Sequence, residues 1–118
     1  MQQLKWIQCQ GDVWCKLDTV NLNHQHFNNM GGVYIIWHGG SNARTVYVGK
    51  GNIKSRLIEH RNNSEIQVFS SLGLYVTWAL VLPPSTRDGI EAYLAKRLDP
   101  LVGSRHPEVR LIETNLPW

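Results

Sequence analysis

Residues 31–60 read GGVYIIWHGGSNARTVYVGKGNIKSRLIEH. Two apolar runs, residues 33–37 and 46–48, are rich in β-branched and aromatic side chains, which favour extended chain. Gly39, Gly40, Ser41 and Asn42 between them are a turn signal, so the pair reads as a hairpin. Alternation puts Tyr34 and Ile36 on one face and Val33, Ile35 and Trp37 on the other. In the second run Tyr47 is opposite in parity to Val46 and Val48. A helix is expected over residues 52–62, with Asn52 as its N-cap. Ile53 and Leu57, four apart, make its buried stripe. Arg56 and His60 are also four apart and rise together from the edge of that stripe. Lys54, Ser55 and Glu59 point to solvent.

Downstream, residues 72–82 are the most apolar run and read as a central strand, closed by Pro83 and Pro84. A helix is expected over residues 86–98, capped by Ser85 or Thr86, with Ile90, Leu94 and Leu98 as its stripe. Glu91 falls on the flank of that face. A carboxylate there is partly desolvated and calls for a partner or a metal. Pro100 closes the helix, and residues 109–112 suit a short edge strand. Upstream, residues 4–9 and 13–17 flank Gly11 and Asp12 as a small hairpin, with Trp6 and Trp14 covering one side of the core. Residues 21–29 read as a loop or a short turn of helix. His24 and His26 read as solvated loop residues, because no third metal ligand is near them in sequence.

The length of 118 residues suits one domain with a modest core. No apolar run approaches the ~20 residues of a membrane span, and the N-terminus lacks the pattern of a signal peptide. A cytoplasmic protein is expected. Cys9 and Cys15 are too few for a disulfide scaffold and match no common zinc spacing, so they read as buried or idle thiols. The formal net charge is +3, compatible with nucleic acid. Lys50, Lys54, Arg56 and Arg61 are concentrated near the hairpin, opposed locally only by Glu59. Lys50, Lys54 and Arg61 are the candidate nucleic-acid contacts.

The central stretch resembles the GIY-YIG nuclease family. Gly32-Val33-Tyr34 stands where the family has its GIY triplet, and Tyr47-Val48-Gly49 where it has YIG. Arg56 and His60 follow on a helix, and Glu91, with Pro100 nine residues later, is similar to the family's carboxylate helix. The likeness spans residues 31–103, roughly three-fifths of the chain. It implies an α/β fold: a small three-stranded, mainly antiparallel sheet flanked by helices in β-β-α-β-α order. Residues 1–30 would be an N-terminal extension, 31–103 the nuclease domain and 104–118 a C-terminal tail.

The resemblance also implies a metal-dependent endonuclease cleaving phosphodiester bonds in DNA. Glu91 would be its metal ligand, for Mg²⁺ or Mn²⁺. Arg56 would face the charge of the transition state, and His60 would assist proton transfer or hold a tyrosine hydroxyl. Tyr34 and Tyr47 jointly line the site, and one takes the proton of the attacking water. A free phenol ionises near pH 10, so Lys50, Arg56 and the metal would have to lower that value. Two features depart from the family pattern. The spacing from Gly49 to Arg56 is one residue short, and Gly103 stands where the family has an asparagine. Asn115 could replace that side chain only if the tail folds back. Loss of the asparagine motivates a second reading, a nucleic-acid-binding module that keeps the fold without turnover. No separate DNA-binding domain is visible, so sequence preference would be weak or supplied by a protein partner or a homodimer.

Overall fold

A computed structural model of the chain describes residues 1–103 and 108–118. In chain order its strands are β1 (Cys15–Lys16), β2 (Gly31–His38), β3 (Thr45–Asn52) and β4 (Leu74–Leu80). Its α-helices are α1 (Ile53–Arg61), α2 (Ser64–Gln67) and α3 (Pro84–Leu98). The expected hairpin is β2 and β3, which pair antiparallel with Tyr34 opposite Gly49. β4 pairs antiparallel along the other side of β2, and the sheet order is β1-β4-β2-β3.

The α/β class stands, with two differences from the expected architecture. The sheet has four strands, not three, because the N-terminal extension lends β1 to the edge of β4. The short α2 stands between α1 and β4, so the order departs from β-β-α-β-α. Asn63 makes α2 possible: its side-chain oxygen accepts from the free N–H groups of Glu65 and Ile66.

Each face of the sheet carries its own core. Ile53 and Leu57 of α1 pack with Tyr34, Ile36 and Trp78 on one face. Ile90 and Leu94 of α3 pack with Val33, Ile35 and Val48 on the other. The period-two reading of β2 therefore holds. That of β3 fails at one point. Ile36 pairs with Tyr47, but Trp37 pairs with Thr45, so Val46 is an extra residue on β3. Such a bulge re-aims the side chains beside it. As a result Val46 and its neighbour Tyr47 both lie against the α1-side core.

Asn52 caps α1 as expected, its side chain accepting from the Ser55 N–H at 3.0 Å. α3 starts two residues earlier than expected. Pro84 occupies its first turn and Pro83 is the cap, with no side-chain cap bond. Proline suits that place because its missing N–H would be unpaired there anyway. Residues 109–112 form no strand; the Ile112 N–H instead bonds the carbonyl of Gly89 at 3.1 Å. The tail does fold back, but Asn115 serves the N-terminus. Its side chain accepts from Leu4 N–H at 2.6 Å and donates to Leu4 carbonyl at 3.0 Å. Trp6 lies on the α3-side core and its indole N–H donates to the Asn115 carbonyl. Trp14 packs instead on Trp37.

Two readings of the N-terminal region are corrected. Cys9 and Cys15 are joined in a disulfide, not left as thiols; their Cα atoms lie 5.1 Å apart across a tight loop. A short loop brings the two residues together whatever the total cysteine count, and that count was the basis of the expectation. His26 is not solvated. It is half-buried, its Nε2 accepts from the Trp78 indole N–H at 3.0 Å, and it packs edge-on to Phe27. Arg61, read as a nucleic-acid contact, has backbone partners. Its guanidinium donates to the carbonyls of Leu17 at 2.8 Å and Val20 at 2.5 Å, and so ties α1 to the extension.

Closing so short a loop restricts the unfolded chain modestly. Reduction is expected to lower stability by about 2 kcal/mol in the chain-entropy account. Denaturant melts with and without a thiol reductant check this, and the Cys9→Ser, Cys15→Ser double variant should melt like the reduced protein. A cytoplasmic setting would favour that reduced form, and oxidising surroundings the disulfide. No helix among the described residues is long and apolar enough to cross a membrane.

Candidate active site

Four elements converge beside the β3 edge on a cavity of about 280 Å³. β2 contributes Tyr34, β3 Tyr47 and Lys50, α1 Arg56 and His60, and α3 Glu91. These are the five side chains assigned catalytic roles from the sequence, together with one of the three basic contacts. Lys54 and Arg61 do not line it. Gly49, Glu59 and Asn63 line it as well.

Tyr34 is the floor. It is sealed from solvent, and its hydroxyl lies 2.5 Å from His60 Nε2. Tyr47 is half-buried and nearly parallel to it, with ring centroids 6.1 Å apart and planes inclined by 19°. The His60 imidazole is tilted against both rings, at 4.5 Å from Tyr47 and 5.4 Å from Tyr34. Two glycines make this packing possible. A Cβ at Gly49 would overlap the Tyr34 phenol, so the glycine of the second triplet is the surface on which the tyrosine of the first one lies. Gly103 has φ +79°, and a Cβ there would meet Tyr47 Cε2 at 2.8 Å. The space a side chain would need is taken by the Tyr47 ring.

Burial pushes the Tyr34 hydroxyl strongly up, with Tyr47 adding to it and Arg56 only partly opposing. Tyr47 is raised too, first by burial and then by Glu91. In the protein alone, Lys50 and Arg56 therefore do not bring a phenol into the neutral range, contrary to expectation. His60 is pushed down to about 4, chiefly by burial, with Glu59 opposing and Arg56 reinforcing. It is neutral at pH 7. Its Nδ1 is buried without a hydrogen-bond partner among the described residues. The tautomer decides which atom of the Tyr34–His60 pair donates, but Nδ1 is left without a partner in both.

This depression has a sign that can be tested. The unfolded chain takes a proton on His60 near pH 6.5, and the folded chain refuses it down to about pH 4. Stability from this group is full above pH 6.5 and is lost as pH falls through that window, on the order of 3 kcal/mol in all. Melting temperature against pH should fall from pH 7 to 4, and the slope should flatten in His60→Gln.

The charges are balanced among the described lining residues. Lys50 and Arg56 are met by Glu59 and Glu91. Arg56 Nη1 contacts Glu59 at 3.1 Å, both half-exposed or more, so the pair is weak and exchangeable. Lys50 is held by Asp88 in a direct ion pair and lies 3.8 Å from Glu91 Oε1. The Asp88 hydrogen bond is the main reason its ammonium titrates higher than usual. The local basic patch read from the sequence is thus split up: Lys50 and Arg56 face carboxylates, and Arg61 faces backbone. Asp88 was missed, although it sits three residues before Glu91 and so shares its side of α3.

Glu91 is 7% exposed. The described residues hold no group of three histidine, cysteine or acidic side chains suited to a metal. One carboxylate facing an open, polar cavity nevertheless fits a hard ion that keeps most of its waters and takes phosphate oxygens as further ligands. Glu91 is the residue that would hold Mg²⁺ or Mn²⁺.

No family model matches the chain, nor does any curated protein or solved structure.

Proposed function

We propose that this chain is a metal-dependent endonuclease of the GIY-YIG kind, hydrolysing phosphodiester bonds in DNA. The observation that supports the reading is the meeting of Tyr34, Tyr47, Arg56, His60 and Glu91, drawn from four separate elements, in one small polar cavity. An α/β fold with a helix on each face of the sheet is compatible with the resemblance, although the fourth strand and α2 depart from the β-β-α-β-α order it implies. The balanced charge adds a physical argument. The two cations and two carboxylates among the described lining residues leave little net attraction for a phosphate from those side chains, and an added divalent ion would supply it.

At Glu91 such an ion contributes Lewis acidity toward the phosphate. The rest falls to the chain. Arg56 leaves Glu59 and turns its planar fork to the phosphate oxygens, where charge builds up. Lys50, kept charged by Asp88, faces the same space. Tyr47, the more accessible phenol, orients the attacking water. The Tyr34 hydroxyl and His60 Nε2 form a two-link path for its proton. As the phenol oxygen receives a proton, its own passes to Nε2, and neither group has to ionise beforehand. Glu59 favours the imidazolium that results. The reading without turnover rested on Gly103, and its ground is weakened because Tyr47 occupies the space of a side chain there.

Supercoiled plasmid and single-stranded DNA, incubated with Mg²⁺, Mn²⁺ or chelator, test the proposal. Nicking is expected with metal and not with chelator, and Arg56→Ala should slow it by ~10²–10³-fold. Salt-sensitive binding with no nicking under any metal would instead favour the binding module. A protein partner or a second copy would then be sought as the source of sequence preference.

A further inference from the structure

A second cleft, of about 440 Å³, opens at the other end of the same edge. Trp37, Trp118, Arg44, Arg97, Thr45 and Leu98 line it. Its aromatic wall is part of a larger panel. Trp37 and Trp118 have centroids 5.0 Å apart, Trp14 stands edge-on to both, and Tyr75 stacks on Trp37 at 5.9 Å. Core packing does not account for the panel's outer member, since Trp118 is 58% exposed. The cationic side is available. Arg97 is exposed and makes no hydrogen bond or ion pair among the described residues. Arg44 donates to the Asp99 carbonyl at 2.9 Å and lies 3.7 Å from its carboxylate, an exposed and therefore weak pair.

We infer that this cleft binds a nucleotide of a single strand, with the base against the indoles and its phosphate on Arg97 and Arg44. Exposed π-faces beside guanidinium groups are the combination that holds single-stranded nucleic acid, and the volume suits one nucleotide. An apolar protein surface fits less well, because it would have to cover the Arg97 charge. Position favours the same ligand. Thr45 in the cleft precedes Tyr47 of the catalytic cavity by two residues of β3, and Arg97 follows Glu91 by six residues of α3. The two sites are thus ~7–9 Å apart along the elements they share. Leu101 and Val102 bond the Thr45 and Val46 carbonyls between them, so one strand occupying both sites would pass over that segment. The inference rests on the nucleic-acid reading above, and it makes the preferred substrate one with a single-stranded segment next to the scissile bond.

The test uses the full chain carrying Glu91→Gln, so that nothing is cleaved, and a fluorescein-labelled oligonucleotide as single strand or as duplex. Binding is followed by anisotropy across a salt series. Trp118→Ala should weaken single-strand binding about tenfold, toward the lower end for loss of one stacked base, and leave duplex binding unchanged. Arg97→Gln should flatten the salt dependence by ~0.7 in log–log slope. Both side chains are exposed, so neither change threatens the fold. Single-strand affinity and salt slope unchanged in both variants would overturn the cleft. If wild type still nicks plasmid, the nuclease reading survives that result. No binding of either oligonucleotide, with no nicking, would overturn both.

Discussion

Glu91→Gln is expected to reduce cleavage to background, a loss of ~10³-fold or more, while melting within a few degrees of wild type. The first half follows from chemistry. An amide keeps the shape of the carboxylate but carries no charge to hold a hard divalent ion. Nothing else among the described residues offers a cluster to replace it. The second half follows from the surroundings. Among the described residues, Lys50 loses a neighbour at 3.8 Å but keeps its direct pair with Asp88. The comparison with Asp88→Asn is informative. That variant leaves Glu91 in place and loosens Lys50, so it should retain metal-dependent turnover at a reduced rate. Cleavage by Glu91→Gln at the wild-type rate would remove Glu91 from the metal role and the reading with it.

Gly49→Ala is expected to damage both fold and activity, by ~1–3 kcal/mol in stability and ~10²-fold or more in rate. The added methyl overlaps the Tyr34 phenol, which is fully buried between the sheet and α1. Overpacking a closed core costs energy of that order, since neighbours must leave their preferred rotamers. Tyr34 would have to move, and it carries the hydrogen bond to His60 Nε2. Displacing a positioned group by about 1 Å is enough for a ~10²-fold loss. Stability comes from a denaturant melt and the rate from plasmid nicking. The pair Gly49→Ala, Tyr34→Phe separates the two effects: removing the hydroxyl relieves the overlap in part, so stability should recover while activity does not. A Gly49→Ala protein as stable and active as wild type would mean that the close contact has no role.

Much of this site was legible in the sequence, for identifiable reasons. Tyr34, Arg56 and His60 sit on elements with strong local signals: an alternating strand, an N-cap asparagine and a four-residue spacing. Periodicity alone then orients them. Glu91 was placed correctly on the flank of its helix by the stripe of Ile90 and Leu94. What sequence could not supply were features created by pairing. The extra residue at Val46 appears only when β3 is laid against β2, and without it Val46 is read onto the face opposite Tyr47. The Cys9–Cys15 bond depends on loop closure, and the Arg61 bonds on where the extension passes α1. The disorder of charge along the chain was misleading in the same way. Asp88 is distant from Lys50 in sequence, so one cation of a patch that reads as basic is paired by another element.

The clasp between the two ends of the chain has a consequence for the order in which the protein assembles. Gln2 bridges Thr114, and the Asn115 side chain holds Leu4 across a separation of 111 residues. A contact that remote has to close the largest loop in the molecule, and its entropic cost favours late formation. Leu4 and Trp6 have to wait for residues 113–116 before their side of the sheet is covered. The hairpin and α1, all local, are free to form long before. The tyrosine floor of the cavity would therefore form first, and the outer face would close only once residues 114–116 have met residues 2–6.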